Sequence, residues 1–201
     1  MARRLFMLRH GEVGYPGRYV GASDLPLNVQ GREQIRTLGP VLAKMEIDLI
    51  LASPMKRCRM SCEELGLDRQ PRLVEELREI DFGRWELKSF EEIAASDPEL
   101  VQQWAVWSAD FCFPQGESVT NFLDRVQSVA ALVAEQSAEN ILLVTHGGMI
   151  RSLLCHFLGL PPEDYLVFQV DRAKYCTLEL HGERGVLSGF NLGQDMSSKP
   201  V

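Results

Sequence analysis

The chain has no Cys-x-x-Cys pair, no broad basic tract and no uncharged apolar run of membrane-spanning length. Each absence narrows the reading. The five cysteines (58, 62, 112, 155 and 176) are odd in number, and read as small buried thiols of a reducing cytoplasm. Cys58 and Cys62 share one face of an expected helix, but no nearby histidine completes a zinc set, so no metal is expected. Arg3-Arg4 is too short to count as a basic tract, and a net charge of -7 argues against nucleic-acid binding, which wants a basic face. The amino terminus offers four apolar residues before Arg9, too few for a secretory signal peptide, and no membrane contact is expected. Neither a Walker phosphate loop nor the Gly-x-Ser-x-Gly elbow of serine hydrolases is present.

What remains is a chain of 201 residues, 45% hydrophobic, enough for one core and a single domain over residues 1–201. Leu5-Phe6-Met7-Leu8 reads as a buried strand that Gly11 ends, delivering Arg9 and His10 to its carboxyl end. Asn28 is an N-cap candidate for a helix whose stripe is Ile35, Leu38, Leu42 and Met45, broken or kinked at Gly39-Pro40. Residues 48–52 form a second short strand ending at Ser53-Pro54. Pro54 is expected at the first position of the next helix, which carries Lys56, Arg57 and Arg59. Residues 72–75 are a weaker strand candidate.

Residues 81–117 differ in texture. They hold Trp85, Trp104 and Trp107 with Phe82, Phe90, Phe111 and Phe113, and read as an insertion with one or two helices, a lid or specificity segment. Ser118 caps a long helix with the stripe Phe122, Val126, Val129 and Val133. Residues 140–145 are the clearest parallel-type strand and run into His146-Gly147-Gly148. The helix that follows stops at Gly159. Residues 176–181 and 185–190 are expected to pair as a hairpin, and 194–201 to form a loose tail.

Strands alternating with helices imply an α/β fold: a three-layer sandwich with a mostly parallel sheet between helices. In such a sheet the turns Arg9-His10-Gly11, Ser53 to Arg57 and His146-Gly147-Gly148 share one edge. A pocket there would hold two imidazoles, two guanidinium groups and an open helix amino terminus, a site suited to phosphate. Neighbouring positive charge keeps a histidine neutral and therefore nucleophilic. A leaving oxygen also needs a proton from a carboxylic acid, and spacing alone does not choose among Glu75, Glu76, Glu79 and Asp81.

Arg9-His10-Gly11-Glu12, Asp24-x-Pro26-Leu27-x-x-x-Gly31, Ser53-Pro54-x-x-Arg57, Leu77-Arg78-Glu79-x-x-Phe82-Gly83-x-Trp85-Glu86, Gly116-Glu117-Ser118 and Thr145-His146-Gly147-Gly148 occur in order. Together they resemble the histidine phosphatase, or phosphoglycerate-mutase-like, superfamily. The resemblance implies His10 as the nucleophile, Glu79 as the proton donor, and His146, Arg9 and Arg57 around the phosphoryl group, with the Gly11 and Gly147 backbone. It implies no metal or organic cofactor. Val13, Pro16 and Val20 replace side chains that the mutases of the family use, which favours hydrolysis. Asp81 to Glu86, followed by Leu87 in place of the common glycine, is most similar to the alpha-ribazole phosphatases, acting in cobalamin assembly. Trp85, Trp104, Trp107 or Phe111 would stack on a flat base, although the helical spacing of Trp104 and Trp107 favours plain packing of a helix onto the body.

The expected enzyme is thus a cytoplasmic phosphoric monoester hydrolase acting on a small phosphorylated metabolite. The alternatives are a sugar-bisphosphate or broad small-molecule phosphatase, then a phosphoglycerate mutase, and, in another class, a non-catalytic phosphate-binding module. A homodimer is compatible with the sequence but not required by it. His156 and His181 are read as structural, and Arg18, Arg32, Arg78 and Arg151 as rim or surface residues.

Overall fold

Strand and helix signals alternate along the sequence, and the structure, a computed structural model that describes residues 3–193, follows them. Strands β1 (Arg3–Arg9), β2 (Leu49–Ala52), β3 (Arg72–Leu73), β4 (Asn140–Thr145), β5 (Tyr175–His181) and β6 (Arg184–Leu192) form one sheet in the order β3-β2-β4-β1-β5-β6. The first four strands in that order are parallel. β5 is antiparallel to β1 and forms a hairpin with β6. The expected tail at 194–201 lies outside the described residues.

Alternation along the strands divides the core into two. Phe6, Leu8, Ile50, Ala52, Leu142 and Val144 face α1 (Val29–Arg36), α2 (Gly39–Ala43) and α3 (Lys56–Leu65). Leu5, Met7, Leu51, Ile141 and Leu143 face α6 (Val119–Glu135) and α7 (Gly147–Leu158). This is the expected three-layer sandwich. The stripe Phe122, Val126, Val129 and Val133 is buried along α6. Among the described residues no helix is long and apolar enough to cross a membrane.

Local signals also held where they rest on capping chemistry. The Asn28 side chain accepts from Gly31 N at 2.7 Å, and that of Ser118 from Asn121 N at 3.1 Å. The helix after Asn28 breaks before Gly39-Pro40, giving α1 and α2. Pro54 is a correction. It lies outside α3, which starts at Lys56, and Asp24 instead accepts from Lys56 N at 2.6 Å. A carboxylate from a distant loop thus satisfies a helix end that local sequence could not. Cys58, Cys155 and Cys176 are buried as expected, but Cys112 is exposed because the irregular segment carrying it leaves its side chain at the surface.

Residues 81–117 contain α4 (Phe90–Ser96) and α5 (Pro98–Ala105). Trp85, Phe111 and Phe113 extend the core on the α6 side. Leu87, at the position of the family's common glycine, has a φ of 61°, a left-handed conformation that costs a residue with a Cβ about 1–2 kcal/mol. Its N–H donates to Tyr19 O at 2.8 Å and its carbonyl accepts from Arg18 Nη1 at 2.6 Å, so this turn holds the backbone of Tyr19 and the side chain of Arg18.

Candidate active site

The parallel register brings Arg9 level with Thr145 and Ala52 level with Val144. Three loaded turns therefore meet at one sheet edge, where open α/β sheets bind ligands. Close backbone packing draws them together. A Cβ on Gly11 would lie 2.4 Å from Gly31 O, and one on Gly31 would lie 2.2 Å from Glu12 O. Neither position admits any other residue without a shift of backbone.

The His10 and His146 rings stand 5.2 Å apart at 64°. His10 Nδ1 is 2.7 Å from Gly11 O. A carbonyl accepts only, so Nδ1 carries the proton and the neutral ring keeps a lone pair on Nε2. His146 has the opposite tautomer. Its Nδ1 accepts from Arg57 Nε at 3.1 Å, and its Nε2–H donates to Ser53 Oγ at 2.8 Å. Burial holds both imidazoles well below the ordinary value of 6.5, helped by the charge of Arg57 and, more weakly, of Arg9.

Arg57 is fully buried. Its Nη1 and Nη2 donate to the carbonyls of Ser23 (2.8 Å) and Gly21 (2.7 Å). That loop is in turn held by Glu86, whose carboxylate accepts from Gly21 N (3.0 Å), Ala22 N (2.9 Å) and Ser23 N (3.1 Å). Arg9 Nη1 donates to Val170 O at 2.6 Å, while its Nε is buried without a partner. Burial, and then the charge of Arg172, lower the Arg9 guanidinium to about 10, so it stays charged at neutral pH. Arg172 is itself paired with Glu12. Sequence reasoning missed Ser53, Glu86 and Arg172 as parts of this network. Only the quoted motifs containing Ser53 and Glu86 carried any signal of it.

Of the four carboxylates left open above, Glu79 is the one that reaches α7. Its Oε2 accepts from Gly148 N at 2.9 Å, at the positive end of the helix dipole. The glycines permit this approach. A Cβ on Gly148 would lie 2.5 Å from Glu79 Oε1, and one on Gly147 3.1 Å from the Arg9 guanidinium carbon. Glu75 instead pairs with Arg78 at 2.6 Å, and Asp81 Oδ1 accepts from Gly83 N at 2.8 Å.

A cavity of about 470 Å³ opens at this edge, within the range of small-molecule sites. Arg9, Glu79, Gly147 and Gly148 stand in its wall together with Val20, Phe82, Trp104, Trp107 and Phe111. Arg18 and Arg151 also line it, whereas Arg32 pairs with Glu64 and Arg78 with Glu75. Trp85 is a second correction. It is fully buried, packs against Trp104, Phe111 and Phe113, and donates Nε1–H to Asp97 at 2.8 Å. It supports the aromatic wall without facing the cavity. Trp104 does both jobs, since it packs on Trp85 and lines the cavity. His156 and His181 are exposed and stand apart from the cavity walls. Among the described residues, no group of three or more His, Cys, Asp or Glu side chains is placed to hold a metal.

Residues 5–193 match the family model of the histidine phosphatase superfamily (branch 1). The chain belongs to that superfamily. The adenosylcobalamin/alpha-ribazole phosphatase of Escherichia coli (strain K12) is 30% identical over 193 residues, 94% of this chain and 95% of that protein. A glucosyl-3-phosphoglycerate phosphatase of Mycolicibacterium vanbaalenii is 35% identical over 181 residues, 82% of this chain and 78% of that one. The crystal structure of the alpha-ribazole phosphatase from Shigella flexneri superposes with a TM-score of 0.85 at 29% identity, covering 94% of this chain and 96% of that one. With phosphatases throughout this set, the histidine phosphatase described here is a phosphoric monoester hydrolase.

The buried histidines make acid stability a direct prediction. Unfolding frees His10 and His146 to bind protons that the folded state excludes. Their contribution is complete above about pH 6.5 and is lost as pH falls below it, by up to about 1.4 kcal/mol per pH unit for each histidine. Denaturation midpoints measured between roughly pH 7.5 and 5 are expected to fall, and to fall less steeply in His10→Asn and His146→Asn. Equal slopes in all three proteins would contradict the assignment.

Proposed function

We propose that this phosphatase cleaves alpha-ribazole 5'-phosphate through a phosphohistidine on His10, in the cytoplasm and in the service of cobalamin assembly. The observation that carries the mechanism is the locked His10 ring, neutral and with its Nε2 lone pair free, beside two guanidinium groups. In the first step Nε2 attacks phosphorus and the ester P–O bond breaks. Arg9, Arg57 and His146, with the Gly11 and Gly147 backbone, stabilise the charge on the equatorial oxygens. Glu79 gives its proton to the departing alkoxide. In the second step water attacks the phosphohistidine, Glu79 takes the water proton, the N–P bond breaks, and neutral His10 returns with inorganic phosphate released. No metal or organic cofactor enters either step.

The substrate assignment rests on the aromatic wall and on the alpha-ribazole phosphatases among the relatives. Phe82, Trp104, Trp107 and Phe111 offer faces and edges to a flat base. Residues 81–117 thereby act as the specificity segment. Val20, where the mutases resembled above carry a threonine, adds an apolar surface to the same wall. A second reading, a phosphomonoester with its own carboxylate, is favoured by Arg151, whose Nε is buried without a partner in the cavity wall.

Turnover of alpha-ribazole 5'-phosphate, phosphoserine, phosphoglycerate and fructose bisphosphate separates these readings. The riboside phosphate is expected to show the highest kcat/KM, by about tenfold or more, a margin worth roughly 1.4 kcal/mol of differential transition-state binding. A preference for phosphoserine or phosphoglycerate that Arg151→Ala abolishes would favour the second reading. A flat profile would sink the cobalamin assignment.

A further inference from the structure

Glu79 lies between two short 3-10 turns, Glu75–Leu77 and Gly83–Trp85, with no helix or strand to fix it. The backbone that carries it is nevertheless gripped from both sides. On one side Thr145 Oγ1 donates to Leu77 O at 2.6 Å. On the other, Arg125 of α6 donates from Nη1 to the carbonyls of Glu76 and Arg78, both at 2.8 Å, and from Nη2 to the carbonyl of Glu79 at 3.3 Å. The same guanidinium makes a bidentate pair with Glu117, Nε to Oε1 at 2.8 Å and Nη2 to Oε2 at 2.7 Å. Glu117 is itself tied to the segment after Glu79, since its backbone N–H donates to Asp81 O at 2.9 Å.

We propose that Arg125, oriented by Glu117, is a positioning residue that sets the reach of the Glu79 carboxylate to the leaving oxygen. The inference deepens the mechanism above and rests on Glu79 being the proton donor. A flat fork fixed by a bidentate carboxylate presents its remaining donors in one plane. The carbonyls of Glu76, Arg78 and Glu79 are thereby locked in register with Gly148 N on α7, where the Glu79 side chain sits. Proton transfer needs a heavy-atom separation of about 2.6–3.2 Å, and a displacement of about 1 Å can cost about 10²-fold in rate. Among the described residues, Arg125 makes no hydrogen bond to Arg9, His10, Arg57 or Gly147.

Leaving-group chemistry reads this role directly. An alkyl phosphate needs a proton on its departing oxygen, while para-nitrophenyl phosphate releases a stable phenolate without one. Arg125→Ala is expected to lower kcat/KM for alpha-ribazole 5'-phosphate by about 10²-fold and to leave kcat/KM for the nitrophenyl ester nearly unchanged, because kcat/KM reports phosphoryl transfer to His10 and not the later hydrolysis, in which Glu79 serves both esters alike. Arg125→Lys, a point charge on a flexible stem, is expected to recover part of the alkyl-ester loss. Equal losses of kcat/KM on the two esters in a folded Arg125→Ala protein would overturn the proposal. Glu79→Gln is the control. If it too lowers kcat/KM for the alkyl ester alone, the donor reading stands whatever Arg125 does, and if it lowers kcat/KM for both esters equally, the donor reading itself fails. Should Arg125→Ala not fold, Glu117→Gln carries the test on the same terms, with a smaller selective loss expected.

Discussion

Replacing His10 with alanine is expected to lower kcat by about 10⁴-fold or more, as deletion of a covalent nucleophile does elsewhere. The expectation depends on the tautomer. With Nδ1–H donated to Gly11 O, Nε2 has no proton to lose before it attacks, and burial with Arg57 and Arg9 keeps the ring neutral. Deletion removes that lone pair, and no other imidazole among the described residues can take its place. His146 offers an Nε2 that already carries the proton it donates to Ser53. Acid-quench experiments with a labelled phosphomonoester check the assignment independently of rate. An acid-labile phosphoenzyme is expected in the parent protein and absent from His10→Ala. Undiminished turnover by the variant would exclude the phosphohistidine route. Failure of the folded parent to form any phosphoenzyme would instead revive a binding module that kept the fold.

The parts of this site that sequence made legible are those whose signals are local. β1 and β4 are unbroken apolar runs because both of their faces are covered, and each ends at a glycine-bearing turn. Once they are parallel neighbours, the meeting of Arg9-His10 with His146-Gly147 follows from register. Family resemblance then singled out Glu79, and the reason for that choice became physical only with the contact to Gly148 N. Pro54, Trp85 and Asp24 mark the opposite limit. A proline beside a helix, a tryptophan in a motif and a carboxylate in a loop each carry several structural meanings, and partners about 10 to 30 residues away decide among them. Glu86 and Arg125 belong to the same class. Their partners are backbone N–H and carbonyl groups, which leave no trace in side-chain identity. The motif containing Glu86 therefore does not say what its carboxylate binds, and nothing in the sequence marks out Arg125.

Arg57→Ala is expected to damage both stability and catalysis, and the two losses have separable causes. Its guanidinium satisfies the carbonyls of Gly21 and Ser23 and the Nδ1 of His146 in an interior position. Truncation leaves three acceptors without a donor, a loss of about 3 kcal/mol or more, which for a chain of this size lowers Tm by about 6–12 °C. Well below that Tm, kcat/KM is expected to fall by a further factor of about 10³, because the charge proposed to stabilise the transferred phosphoryl group is gone. Arg57→Lys keeps a charge but not the fork, so it is expected to be intermediate in both respects. The pH profile distinguishes an electrostatic role from general loosening. After burial, Arg57 is the largest cause holding His10 and His146 below their ordinary value. Removing its charge raises both, so more of His10 is protonated at a given pH and the lone pair on Nε2 is withdrawn. The acid limb of kcat/KM should therefore move to higher pH in Arg57→Ala and stay near its parent position in Arg57→Lys. An acid limb unmoved in both variants, with the expected loss of Tm, would reduce Arg57 to a structural clamp on the loop at residues 21–23.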